Sequence, residues 1–169
     1  MITKENRQKI RKISGSGFVE VLLSLLIISL GALGMVALHN RSLQYNQVAY
    51  YHSQAIILAT DMLDRLHINR TQALITDIYR TSIGDAIYDS CDDGSYPDNC
   101  ELGQCSTEQL ARYDVSQWKF YLLCHLPNAM GSIDYKDGVY GRTYTITVSF
   151  ENNSNAALKS MNVVLKATL

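Results

Sequence analysis

The sequence predicts an α+β fold in which one long N-terminal helix packs on a small antiparallel sheet. Three observations carry that reading. Residues 21–38 form an uncharged run of eighteen. No proline precedes Pro97 and no glycine falls between Gly34 and Gly84, so a helix begun in the apolar run meets no breaker until well beyond it. Towards the C-terminus, apolar and polar residues alternate with the period of two that marks half-buried strands.

The long helix is expected over residues 17–69, about 53 residues or ~80 Å at 1.5 Å per residue. Its first part is apolar on every side and close to the length a helix needs to cross ~30 Å of hydrocarbon. Its second part is amphipathic. Ala55, Leu58, Ala59, Met62 and Leu66 recur at helical spacing on one face, with Asp61, Asp64 and Arg65 largely on the other. The first part needs lipid around it and the second needs a protein cover. The chain is therefore expected to divide into a transmembrane half-helix, residues 16–39, and a head, residues 40–169, that includes the outer half of the helix.

Charge is distributed accordingly. Residues 1–15 hold Lys4, Arg7, Lys9, Arg11 and Lys12 against Glu5 alone. Of the 15 basic and 16 acidic residues in the chain, ten and fifteen lie beyond that stretch. A basic flank before an apolar run holds that end in the cytoplasm, so the head is expected on the far side of the membrane. An acidic head without a basic stripe argues against nucleic-acid binding.

All four cysteines, Cys91, Cys100, Cys105 and Cys124, follow the apolar run. In a small translocated domain they are expected to form disulfides. Their spacing, C-x8-C-x4-C-x18-C, lacks the close pairs of common zinc sites. Four cysteines allow three connectivities; loop proximity favours Cys91–Cys100 with Cys105–Cys124.

The middle of the chain is read in short pieces. Residues 73–87 have the composition for one or two further helical turns. Residues 89–105 are loop-like, rich in Asp, Gly, Asn and Cys around Pro97. The clusters Asp92-Asp93-Gly94 and Asp98-Asn99 suggest calcium, but the EF-hand pattern is absent and they read as solvated turn acids. No metal or cofactor is expected. Asp114 followed by Gln117 resembles a capping box opening a short helix. Trp118, Tyr121 and Leu122 give that helix its apolar face, Pro127 ends it, and Trp118 is expected as a core anchor.

Strands close the chain. One is expected near residues 132–135, followed by a turn at Asp137-Gly138. Tyr144, Ile146, Val148 and Phe150 then alternate with Thr145, Thr147 and Ser149. After a turn over residues 152–155, Met161, Val163, Leu165 and Ala167 form a last strand facing the same way. The result is an antiparallel meander whose apolar face can cover the helix.

Two stretches resemble a known family. Residues 15–20, GSGFVE, resemble the type IV prepilin signal, in which a prepilin peptidase cuts after a glycine and a glutamate stands fifth in the mature chain. Cleavage after Gly15 makes Ser16 the first mature residue and Glu20 the fifth; cleavage after Gly17 would make Glu20 the third. The resemblance thus implies a leader of residues 1–15, a cleaved bond between Gly15 and Ser16, and N-methylation of Ser16, where the family usually has phenylalanine or methionine. It also implies that Glu20 pairs with an N-terminal amine, of a neighbouring subunit or of the same chain, in an assembled filament. That gives a physical reason for a carboxylate beside an apolar run, since a charge at bilayer depth costs about 2.5–3.5 kcal/mol.

The second stretch, residues 113–133 (YDVSQWKFYLLCHLPNAMGSI), resembles the Asp-x-x-x-Trp then Leu-Pro-x-x-x-Gly pattern of PilV-type minor pilins. The type IV pilin-like fold is then expected, with the long helix packed on a small antiparallel sheet. So is a minor pilin function: insertion in the bacterial inner membrane with the head in the periplasm, then assembly into a priming complex near the pilus tip. That role supports pilus biogenesis, twitching and adhesion. The partners so implied are the prepilin peptidase, other minor pilins, the major pilin and a tip adhesin.

No catalytic constellation accompanies these features. His39, His52, His67 and His125 belong to no H-E-x-x-H, nucleophile elbow or phosphate loop, and an enzyme is not expected. The alternative is a pseudopilin of a type II secretion or competence system, which shares the leader and helix but usually has a smaller head. Loss of surface pili and twitching on deletion would favour the pilus, and loss of protein secretion with pili intact the pseudopilin. A membrane-anchored enzyme would require measurable turnover.

Overall fold

The computed structural model describes residues 16–85, 88–92, 100–101, 103–152 and 159–169. Its elements run α1 (Ser16–Ile68), α2 (Arg70–Ile75), α3 (Thr107–His125), β1 (Met130–Gly138), β2 (Gly141–Asn152) and β3 (Lys159–Thr168). The chain divides into two compact units, Met1–Leu43 and Gln44–Leu169, and α1 contributes to both.

In the first unit, the described residues form helix alone. Every side chain from Gly17 to Leu43 is exposed. The serines of the apolar run meet their hydrogen-bonding needs locally: Ser24 donates to the Val21 carbonyl and Ser29 to that of Leu26, each at 2.8 Å. In hydrocarbon, where no water can pair with a stray hydroxyl, such back-bonding removes the cost of a polar group.

The second unit is the head. Its sheet has the order β1-β2-β3, antiparallel throughout. Tyr144, Ile146, Val148 and Phe150 of β2 are all buried. They stand opposite Ala167, Leu165, Val163 and Met161 of β3, as the alternation predicts. With Ala55, Leu58, Ala59, Met62 and Leu66 of α1 they form one core, closed by Trp118 and Leu122 of α3. The long helix packed on a small antiparallel sheet is thus the observed architecture.

Several local expectations need correction. α3 begins at Thr107, not at Asp114. Its cap is Ser106, whose Oγ accepts from the Gln109 amide at 3.2 Å, while Gln109 Oε1 accepts from the Ser106 amide at 2.8 Å. That reciprocal pair satisfies two orphan donors, which leaves Asp114 and Gln117 as buried residues of the helix interior. Of the further helical turns expected over residues 73–87, the structure has α2, which starts earlier, at Arg70, and ends at Ile75, and residues 86 and 87 lie outside the described residues. The β1–β2 turn lies at Val139 and Tyr140, between paired Gly138 and Gly141, rather than at Asp137-Gly138. Gly141 carries a φ of 132°, and a Cβ there would meet the Leu169 carbonyl oxygen at 2.2 Å. Of the expected β2–β3 turn, residues 153–155 lie outside the described residues.

The same early start of α3 corrects the disulfide pairing. The bonds are Cys91–Cys124 and Cys100–Cys105, with Cα separations of 5.3 and 5.5 Å. Cys105 precedes the N-cap and Cys124 lies in the last turn, so the helix holds them ~28 Å apart at 1.5 Å per residue. A disulfide tolerates about 7 Å between Cα atoms, which excludes the expected Cys105–Cys124 bond.

Candidate functional site

The residues singled out by sequence fall into two groups, one on each unit. On the first, Ser16 is the first residue of α1 and Glu20 follows it by one helical turn. Residues four apart share a helix face, so an amine at the start of a chain opening with Ser16 falls on the face of Glu20. The Glu20 side chain is exposed and has no hydrogen-bond or ion-pair partner among the described residues. Gly15, the other side of the expected cleaved bond, lies outside the described residues.

The apolar residues around Glu20 have no cover within the chain. Phe18, Val19, Val21, Leu22 and Leu23 are each at least half exposed. The helix is long and apolar enough to cross a membrane, and none of its most apolar window is buried. An exposed apolar patch of this extent marks contact with lipid or with another protein.

On the head, the Asp-x-x-x-Trp segment fastens α3 to α1. Trp118 is fully buried, and its indole N–H donates to the Leu58 carbonyl of α1 at 2.9 Å. Gly131 explains the second half of the motif: a Cβ there would meet Leu122 Cδ1 at 2.4 Å and Trp118 Cη2 at 2.5 Å. Leu126 caps α3 through its amide to the Leu122 carbonyl, and the Pro127 carbonyl accepts from the Glu151 amide of β2 at 3.0 Å. Trp118 is a core anchor.

Asp114 joins three segments. Its Oδ1 accepts from Arg65 Nη1 at 3.2 Å and its Oδ2 from the Tyr79 hydroxyl at 2.8 Å, while Arg65 Nε also holds Asp61 at 2.9 Å. Arg65, expected on the outer side of α1, is thus drawn inward by a residue 49 positions away. Burial lifts the Asp114 carboxyl above its ordinary range, against the hydrogen bond from Tyr79 and the charge of Arg65. Burial, and then the neighbouring Asp114, push the Tyr79 phenol far above its ordinary value. Nothing in this group forms a nucleophile–base pair; it is a packed structural network.

Two other cations hold loops. Lys119 is buried, and its ammonium donates to the Ser82 and Asp85 carbonyls, both at 2.8 Å; burial holds it below the ordinary lysine range. Arg142 donates to the Ala73 and Thr76 carbonyls at the end of α2, at 3.0 and 2.6 Å, and Tyr144 reaches the same Ala73 carbonyl. These contacts satisfy carbonyls that a helix end leaves without partners. Sequence reasoning missed both cations, since their carbonyl partners carry no side-chain signal.

Among the described residues no cluster of His, Cys, Asp or Glu could hold a metal ion. Asp93, Gly94, Asp98 and Asn99 of the calcium-like clusters lie outside the described residues. His39, His52 and His67 are spread along α1, and His125 ends α3.

Residues 37–116 match the Tt1218-like family model, described as type IV pilin Tt1218. No curated protein and no solved structure gives a significant match. The matched segment covers the outer half of α1, α2, the cysteine loop and the start of α3. Over that segment, and in the long helix whose outer half packs on a small antiparallel sheet, the chain is similar to a type IV pilin.

Proposed function

We propose that this chain is a minor pilin of the PilV type. It is inserted in the inner membrane with its head in the periplasm, cut between Gly15 and Ser16, N-methylated at Ser16, and assembled into the priming complex near the pilus tip. The observation that carries this reading is the uncovered apolar half of α1 with Glu20 one turn after Ser16. Lipid covers that half before assembly, and the helices of neighbouring pilins cover it afterwards. The N-terminal amine of a neighbour neutralises Glu20, and the acidic head selects partners among other minor pilins, the major pilin and a tip adhesin. The docking of Trp118 against Gly131 favours the PilV type over a smaller-headed secretion pseudopilin.

The test is mass spectrometry of the mature N-terminus in cells that carry the prepilin peptidase. The chain should begin at N-methylated Ser16, and Gly15→Ala should leave the precursor uncut. A mature chain that still begins at Met1, or one cut beyond Leu38, contradicts the proposal.

A further inference from the structure

The two edges of the sheet are finished differently. β1 is covered at its middle, where the Thr81 amide donates to the Ile133 carbonyl at 3.0 Å and the Ile133 amide to the Thr81 carbonyl at 2.9 Å. β3 pairs with β2 alone. The Leu169 amide donates to the Arg142 carbonyl, and opposed residues of an antiparallel ladder alternate between bonded and unbonded pairs. In the register of β2 and β3, residues 161, 163, 165 and 167 therefore turn their backbone groups to β2. Ser160, Asn162, Val164, Lys166 and Thr168 turn theirs to the open edge, where no hydrogen bond from the described residues reaches them.

Long sheet edges are ordinarily closed by proline, a bulge, charge or a covering segment. β3 has ten residues, no proline or glycine and an unbroken register, and its run from Ser160 to Leu165 is uncharged. Those six residues offer an opening of ~20 Å. Beside them, between β3 and α1, lies a groove of about 400 Å³ whose walls include Ile56, Ala59, Val163 and Leu165. A strand laid along the edge completes the backbone bonds and turns every second side chain towards that groove. A helix cannot do this, because its own backbone groups are already paired.

Charge selects the source of that strand. β3 carries Lys159 and Lys166 and no acidic residue, so two β3 edges brought together would gather lysines without a carboxylate. The β1 edge of another copy is already held by Thr81. We propose that the β3 edge receives an extended segment of a different protein, about six residues long, apolar at alternate positions and acidic opposite exposed Lys166. The site belongs to β3 and α1 alone and is independent of processing at Gly15. Its use in assembly rests on the pilin reading.

The test adds a capped peptide, Glu-Val-Thr-Val-Thr-Val-Thr, to the full-length protein in detergent micelles and follows single amides by hydrogen exchange. Laid antiparallel with its Glu opposite Lys166, the peptide sets its Thr residues opposite Val164, Asn162 and Ser160. Exchange at residues 162, 164 and 166 should slow about tenfold or more at saturation. Residues 163 and 165, already bonded to β2, should not change. N-methylation of the peptide's Thr residues, whose amides face β3, should abolish binding, and N-methylation of its Val residues should leave it intact. Lys in place of Glu should weaken binding roughly threefold or more. In cells, a photo-crosslinking amino acid at Asn162 should join a different protein at a segment with alternating apolar residues and an acidic one. Val164→Pro, which removes an edge donor and no ladder bond, should prevent that crosslink. No protection, protection without alternation, binding that survives Thr N-methylation, or crosslinks to lipid or to a second copy overturn the inference. Each of these leaves the pilin reading intact, whereas a chain that stays uncut at Gly15 overturns that reading and not the peptide result.

Discussion

The two halves of α1 are one helix by backbone and two by environment. Residues 17–43 expose every side chain, while the outer half buries Ala55, Leu58, Ala59, Met62 and Leu66 against the sheet and α3. Helical periodicity is what distinguishes them: a stripe buries one face within the chain, and an all-round apolar surface finds its cover outside it. The head should therefore respond to changes in packing, and the exposed half only to changes in what surrounds it.

The largest effect should come from the centre of the head. Trp118→Ala removes the side chain that fills the space between Leu58 and Gly131, and should cost about 3–5 kcal/mol in head stability by thermal unfolding. Gly131→Ala overpacks the same spot and should cost about 1–3 kcal/mol. Both variants should still insert in the membrane. Loss of insertion would mean that the two units are not energetically separate.

The disulfides should rank by loop length. Cys91–Cys124 closes a separation of 33 residues and Cys100–Cys105 one of 5. On the chain-entropy account their removal as serine pairs should cost about 3.5 and about 2 kcal/mol respectively. Peptide mapping without reduction checks the pairing itself, and recovery of a Cys105–Cys124 peptide would contradict the extent of α3.

A smaller effect should appear at alkaline pH. Tyr79 and Tyr144 have phenol groups raised above the ordinary value of 10.0, chiefly by burial. A group raised on folding contributes stability that is complete below its unfolded pKa and lost as pH rises through the folded one. Head stability should therefore fall above pH ~10, and Tyr144→Phe should lessen the fall. Lys119, lowered by burial, acts with the opposite sign and offsets part of it. A melting temperature flat from pH 9 to 12 would show that these phenols are not buried in solution.

The legible parts of this molecule were the periodic ones. The buried face of α1 and the alternation of β2 and β3 repeat every few residues, so local sequence defines them. The start of α3 was misplaced, because Asp114 and Gln117 have the same capping-box spacing as Ser106 and Gln109, the pair that caps the helix. What decides between them is tertiary: Asp114 is engaged by Arg65 and Tyr79, 49 and 35 residues away. The cysteine pairing followed from that boundary, and so could not be read before it. Arg142 and Lys119 were hidden for a related reason, since their carbonyl partners are present at every position of a chain. The exposed turn at Val139 and Tyr140 could have been noticed as an apolar pair between glycines, but only the strand register shows it at a hairpin tip.

The central claim is that the uncovered half of α1 is an assembly surface in which Glu20 is neutralised by a neighbour. The measurement is the distribution of full-length Glu20→Ala between the inner membrane and fibres sheared from the cell surface, beside wild type. Removal of the charge should leave insertion intact or improve it. Head melting should not change, since Glu20 takes no part in the core. The variant should accumulate in the membrane and be lost from the fibres, with Glu20→Asp intermediate, being charged but one methylene shorter. Recovery of Glu20→Ala in sheared fibres at the wild-type level would contradict the account.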